Sequence, residues 1–240
     1  MDANYGMSQS SNSSNDLIVI LGPTATGKTK LAVQIAQRLD GEIISVDSRQ
    51  VYRGMDIGTG KNLNEYIIKG ETIHYHLIDI VDPSEEYNVA QFQNDFQRVF
   101  TEIKGREKLP ILCGGTGFYL KAVLMDFQFP SIKPDIKLRT KLETWKLADL
   151  IQELESISPD VSKNNILETK RQVIRAIEVE MKFGNTKKVR KKGNEKIQNP
   201  IVLGVDYPRG IIRERITARL HERLDRGMIE EVKILLDSGI

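Results

Sequence analysis

Gly22-Pro23-Thr24-Ala25-Thr26-Gly27-Lys28-Thr29 follows the pattern G-x-x-x-x-G-K-[ST], and its surroundings constrain the fold more than any other feature of the chain. Residues 17–21 form a short apolar run of strand type, and residues 31–36 begin a helical pattern. A strand, a glycine-rich loop and a helix in that order curl successive backbone N–H groups around an oligophosphate at a helix N-terminus. The Lys28 ammonium is expected to reach the terminal phosphates and the Thr29 hydroxyl to hold Mg²⁺. A di- or triphosphate ligand follows; the reaction does not, because many chemistries use such a loop.

The pattern beyond the loop extends this into an α/β fold. Further strand-like runs lie at 42–47, 76–81, 110–114 and 201–206, with helical stretches between them such as 89–103. Such alternation predicts a parallel sheet with helices on both faces, of the P-loop NTPase type, with functional groups at the carboxyl ends of the strands. Between 126 and 199 the strand signal disappears and Lys, Glu and Leu recur at helical spacing, so this stretch reads as a helical insertion into a core formed by 16–125 and 200–240. Residues 1–15 are rich in Ser and Asn and poor in apolar groups, the composition of a disordered tail. Helices are expected at 169–181, 209–226 and 229–236. The 209–226 helix carries an apolar stripe of Ile212, Ile216, Leu220 and Leu224 beside a basic stripe of Arg215, Arg219 and Arg223. A helical hairpin stopping at Ile240 suggests that further C-terminal residues belong to it.

Composition excludes several classes. A single cysteine, Cys113, permits neither an internal disulfide framework nor a cysteine metal cluster, and it fits the end of a buried strand better than a catalytic thiol. No apolar run approaches a membrane span and no secretory leader opens the chain, so a cytoplasmic enzyme is expected. The net charge of +2 says little, but Lys187-Lys188-Val189-Arg190-Lys191-Lys192 is a dense basic run that suits either nucleic acid or solvent. His74, His76 and His221 show no zinc spacing and read as packing or surface residues.

Two more segments carry chemistry. In Ser45-Val46-Asp47-Ser48-Arg49-Gln50-Val51-Tyr52-Arg53-Gly54-Met55-Asp56-Ile57-Gly58-Thr59-Gly60-Lys61 a strand runs into a polar loop, with Asp47 at the strand end. If the first two strands are neighbours, Asp47 lies near the phosphates, where it can ligate Mg²⁺ through water, accept a proton, or simply cap a turn. Cys113-Gly114-Gly115-Thr116-Gly117-Phe118-Tyr119-Leu120 follows another strand, and its glycines allow either a ligand's close approach or a tight strand-to-helix turn.

GPTATGKT, SVDSRQVYRGMDIGTGK and CGGTGFYLKA, with HLIDIVDPSEEYNVAQF between the last two, together resemble the bacterial tRNA dimethylallyltransferases. The likeness is strong over 16–125 and weaker through RQVIRAIEV and 209–239. It implies transfer of a dimethylallyl group from dimethylallyl diphosphate to N6 of the adenosine 3′-adjacent to the anticodon, in tRNAs reading codons that begin with U. It further implies a Mg²⁺-dependent monomer whose loop grips a diphosphate leaving group. By resemblance, Gly22, Pro23, Thr24, Ala25, Thr26, Gly27, Lys28 and Thr29 hold the diphosphate, Thr24 and Arg219 complete its cradle, and Asp47 is the general base. The resemblance places tRNA contacts at Asp47, Ser48, Arg49, Gln50, Thr116, Arg139, Arg171, Gln172, Val173, Ile174 and Arg175. The target adenine has to be flipped out of the stack to react. The readings that compete are an adenylate isopentenyltransferase, a small-molecule kinase with the same loop, and a nucleic-acid-binding module whose loop is vestigial.

Overall fold

A computed structural model describes residues 16–127, 129, 132–164, 167–183 and 197–240. The chain divides into two units, 1–127 with 194–240, and 128–193. In the first, β1 (Ile18–Leu21) leads through the phosphate loop to α1 (Lys28–Leu39) and β2 (Gly41–Val46). A 3₁₀ turn at Leu63–Tyr66, the two-residue strands β3 (Ile67–Ile68) and β4 (Glu71–Thr72), and β5 (Tyr75–His76) follow. Next come α2 (Val89–Gly105), β6 (Leu109–Gly114) and α3 (Gly117–Leu124), and after the second unit β7 (Ile201–Gly204), α8 (Arg209–Asp225) and α9 (Met228–Asp237).

Five strands pair in parallel in the order β5-β2-β6-β1-β7, while β3 and β4 pair separately and antiparallel. The strand run at 17–21 is apolar throughout because both sheet faces are covered. Val19, Ile44, Val46 and Leu112 pack beneath Phe92, Phe96 and Phe100 of α2 and Tyr119 of α3. Ile18, Ile20, Ile43 and Ile111 pack beneath Ala32, Val33 and Ala36 of α1. The period-two alternation of side chains splits each strand between the two cores. Helix α2 starts with a capping box: the Asn88 side chain accepts from the N–H groups of Ala90 and Gln91, and Gln91 Oε1 accepts from the Asn88 N–H.

Two expectations change. The first two strands are not neighbours, since β6 lies between β1 and β2. Their carboxyl ends still lie level, because Leu21 and Val46 both register with Gly114, so the three loops leave the sheet side by side. The strand expected at 76–81 stops after His76, because Leu77 and Asp79 adopt left-handed backbone with φ of 62° and 56°. The segment turns instead onto the 50–53 stretch, where Asp79, Ile80 and Val81 donate to the carbonyls of Gln50 and Val51, and Arg53 donates to Val81.

Along the apolar stripe of α8, Ile216, Leu220 and Leu224 keep 42%, 47% and 37% of their surface exposed. Among the described residues no helix is long and apolar enough to cross a membrane.

The second unit is helical, with α4 (Ile136–Glu143), α5 (Leu147–Ile157), α6 (Pro159–Asn164) and α7 (Lys170–Phe183). Leu142, Leu150, Leu154, Val173, Ile174 and Ile177 form its core. Glu178 is buried there and held by both Nε and Nη2 of Arg139 at 2.7 Å, by Arg175 at 3.0 Å and by the Asp135 N–H at 2.9 Å. Burial opposes the charge, but Arg139, the Asp135 N–H and Arg175 outweigh it and hold the Glu178 carboxyl at about 2. A depressed folded-state value stabilises the unit above the unfolded carboxylate value, and that stabilisation disappears as pH falls from about 4.5 toward about 2. Trp145, the sole tryptophan, packs against this core and reports on the unit. Urea unfolding followed by its fluorescence is expected to show Glu178→Gln less stable by about 2–3 kcal/mol at pH 7. The difference from wild type should shrink through the acid window, and a difference that persists unchanged at pH 2 would refute this account.

Candidate active site

The phosphate loop joins the end of β1 to α1 by close backbone approach. Gly22 has φ 151°, and a Cβ there would stand 2.1 Å from the Val205 carbonyl oxygen, so only glycine fits. Gly27 precedes α1 in left-handed backbone, and no side chain caps the helix. The first-turn N–H groups are therefore left for a ligand, and the helix dipole favours an anion there. Thr26 is buried with its hydroxyl donating to the Pro23 carbonyl at 2.9 Å, which places it behind the loop; Lys28 Nζ donates to the same carbonyl at 2.5 Å.

Asp47 stands one residue beyond β2. Its Oδ1 accepts from the N–H groups of Arg49 at 2.8 Å and Gln50 at 3.3 Å, so it does cap the 48–50 turn. The same carboxylate also lines a cleft of about 720 Å³ with Gly22, Pro23, Thr24, Ala25, Gly27, Lys28 and Thr29. Thr116 ties two of the loops together: its hydroxyl accepts from the Ser48 N–H at 3.1 Å, and its own N–H donates to the Val46 carbonyl at 3.2 Å. Ser48, Arg49, Gln50 and Thr116 all reach the cleft.

The rest of the long second motif folds around Lys61. Its side chain is 2% exposed, and its ammonium donates to Asp56 at 2.6 Å, to Asp79 and to the Tyr52 carbonyl at 2.9 Å. A buried ammonium needs this complete set of acceptors, so Lys61 serves to hold the loop together.

Helix α8 supplies the facing wall, with Arg215, Arg219, Glu222 and Arg223 on the cleft. Of these the resemblance singled out Arg219 alone. Arg219 lies 4.0 Å from Glu65, another cleft residue with no signal in the sequence. Burial and the like charge of Arg219 push the Lys28 ammonium down, against the pull of Asp47. Arg223 is lowered by burial and by Arg219, and its Nη1 donates to the Gly58 carbonyl at 3.3 Å. Cations converge here on a small space, an arrangement suited to a polyanion. Burial pushes the Cys113 thiol up to about 12, which fits an inert strand-end residue.

The remaining sequence-derived residues lie in the second unit. Arg139 and Arg175 both engage Glu178, and Arg175 also donates to the Ile132 carbonyl. Gln172 accepts from the N–H groups of Glu168 and Thr169 at the start of α7. Val173 and Ile174 are buried in the core, so their side chains serve packing, and Arg171 is exposed. The 187–192 basic run lies outside the described residues.

Thr29 and Asp47 offer the hard oxygen donors that Mg²⁺ prefers. Among the described residues no cluster of three or more His, Cys, Asp or Glu could form a metal cage by itself. The residues therefore suit an ion held by one hydroxyl together with substrate phosphate oxygens.

Comparison with known proteins narrows the assignment. The family model described as IPP transferase matches residues 50–240. The chain is 48% identical over 225 residues to tRNA dimethylallyltransferase 2 of Phocaeicola vulgatus, covering 94% of this chain and 72% of that protein. It is equally similar, at 48% over 225 residues, to tRNA dimethylallyltransferase 1 of Syntrophus aciditrophicus, covering 94% and 73%. Among solved structures, the full-length tRNA isopentenylpyrophosphate transferase of Bacillus halodurans aligns with TM-score 0.64 at 38% identity, over 94% of this chain and 71% of that one. A eukaryotic dimethylallyltransferase captured acting on tRNA aligns with TM-score 0.76 at 27% identity, over 92% and 56%. With a family match across most of its length and relatives near half identity, the chain belongs to the IPP transferase family.

Proposed function

We propose that this protein is a tRNA dimethylallyltransferase, which moves the dimethylallyl group of dimethylallyl diphosphate to N6 of the adenosine 3′-adjacent to the anticodon in tRNAs reading codons that begin with U. The observation that carries the reading is the placement of the Asp47 carboxylate, at the end of β2, and the phosphate loop on one cleft. Phosphoryl transfer can use the same two parts; the similarity to tRNA dimethylallyltransferases favours alkyl transfer, in which the loop grips the leaving diphosphate and the carboxylate serves the acceptor amine.

In the reaction the N6–C1 bond forms, the C1–O bond to diphosphate breaks, and one proton leaves N6. The loop N–H groups, Lys28, Thr24 and Arg219 bind the diphosphate and take up the charge that grows as it departs. The Thr29 hydroxyl would hold Mg²⁺, and a bound ion would supply further neutralisation of the diphosphate charge. Asp47 takes the N6 proton; an exocyclic adenine amine is a weak nucleophile, and a positioned carboxylate raises its reactivity. The Asx-turn bonds to Arg49 and Gln50 hold that carboxylate in place. Ser48, Arg49, Gln50 and Thr116 stand next to it as contacts for the flipped nucleotide, while Arg139, Arg171, Gln172 and Arg175 offer contacts for the anticodon stem-loop. Arg139 and Arg175 would serve there while also neutralising Glu178. The protein acts as a monomer in this reading.

The test is incubation with dimethylallyl diphosphate and either tRNA or AMP, followed by mass spectrometry of the nucleosides. Dimethylallyladenosine is expected in tRNA digests and not in the AMP reaction. Prenylated AMP alone would show an adenylate isopentenyltransferase. Transfer of label from γ-labelled ATP with indifference to dimethylallyl diphosphate would show a kinase, and tRNA binding without turnover of any substrate pair would show a binding module.

A further inference from the structure

Helix α8 carries Arg215, Arg219 and Arg223, yet it has no buried side chain, and neither has α9. Polar bonds fasten the hairpin of α8 and α9 to the first unit's 56–58 turn. The tether here comes from Glu231 in the first turn of α9. Its Oε2 accepts from the N–H groups of Asp56 at 2.9 Å and Ile57 at 2.7 Å, and its Oε1 accepts from Gly58 at 2.9 Å. Consecutive N–H groups pointing one way form a nest for an anion, and bonds to an ionised carboxylate are about twice as strong as neutral ones.

A second prong comes from Arg223, which donates to the Gly58 carbonyl. It lies so close under Gly60 that a Cβ there would stand 1.7 Å from Nη2. The turn thus has its donors taken by Glu231 and one acceptor taken by Arg223. On its inner side Lys61 pins the same turn through Asp56. The turn is therefore a fixed post, and the α8–α9 hairpin is fastened to it. Arg219 lies one helical turn before Arg223 on the same face of α8.

We propose that Glu231 is a positioning residue that locks the α8–α9 hairpin to the 56–58 turn and so holds Arg219 over the phosphate loop. The lock stands on geometry alone, whereas its consequence for diphosphate rests on the reading in the preceding section.

The experiment pairs amide hydrogen exchange with calorimetric titration of inorganic pyrophosphate plus Mg²⁺, on wild type, Glu231→Ala, Glu231→Gln, Arg219→Ala and the Glu231→Ala/Arg219→Ala double variant. In Glu231→Ala the amides of residues 56–58 should exchange at least about tenfold faster, with those of β1 and β6 unchanged. Pyrophosphate affinity should fall about tenfold, the weight of one charge-assisted hydrogen bond. Glu231→Gln, which keeps an acceptor, should fall between. In the Arg219→Ala background the Glu231 substitution should cost less than about twofold, since both act through one guanidinium. Unchanged exchange at 56–58 would overturn the lock. Unchanged affinity, or losses that add in the double variant, would overturn its action through Arg219. If Glu231→Ala does not fold, Glu231→Gln carries the same comparisons. Failure of wild type to bind pyrophosphate would sink the diphosphate reading and leave exchange to decide the lock.

Discussion

Asp47→Ala is expected to lower kcat for dimethylallyl transfer by about 10²–10⁴-fold, the usual worth of a general base. Asp47 has two jobs in the structure, since Oδ1 holds the 48–50 turn while the carboxylate faces the cleft. Asp47→Asn separates them: the amide oxygen still accepts from Arg49 and Gln50, but it cannot take a proton at neutral pH. Both variants should therefore lose turnover to a similar extent, and both should retain pyrophosphate binding at the phosphate loop. Single-turnover kinetics with saturating tRNA checks this. Near-normal activity in Asp47→Asn would reduce the residue to a turn cap and remove it from the chemistry.

Arg219→Ala is expected to cost on the order of 10²–10³-fold in kcat, the range for removing one preorganised donor from developing charge. Little stability should be lost with it, because its ion pair to Glu65 spans 4.0 Å with both side chains about one-third exposed, and such pairs contribute only about 0–1 kcal/mol. Arg219→Lys should recover part of the loss, since it restores charge without the planar fork. Thermal unfolding and steady-state kinetics on the same preparations separate the two effects. A variant that loses stability while its turnover per folded molecule stays normal would return Arg219 to an ordinary helix face.

The parts of the fold that depend on local chemistry were legible in the sequence. The phosphate loop had to be a strand–loop–helix unit, because Gly22 and Gly27 adopt backbone that few other residues tolerate and the flanking apolar runs can only be buried. Helices at 89–103, 169–181, 209–226 and 229–236 were readable from spacing, and each lies in the structure within two residues of the expected bounds. Strand 76–81 was not, because its apolar run hides two left-handed residues that send the chain across to 50–53. Of the site itself, the loop, Asp47, Thr116 and Arg219 share one cleft. Thr26 does not line it, since its hydroxyl turns back to Pro23. Val173 and Ile174, which the resemblance placed in a tRNA-contact segment, have their side chains inside a helical core.

The amino-acid sequence by itself determined the local chemistry: which residues curl around phosphate, which strands are buried on both faces, and which family the motifs resemble. Those properties follow from backbone sterics and from periodicity over a few residues, and both are short-range. Only the tertiary structure decided that β6 separates β1 from β2 while keeping their ends level, that Glu178 gathers Arg139 and Arg175, and that Glu231 fastens to a turn 173 to 175 residues away in sequence. A buried charge or a row of backbone donors finds its partner by proximity in space, and no spacing along the chain records that.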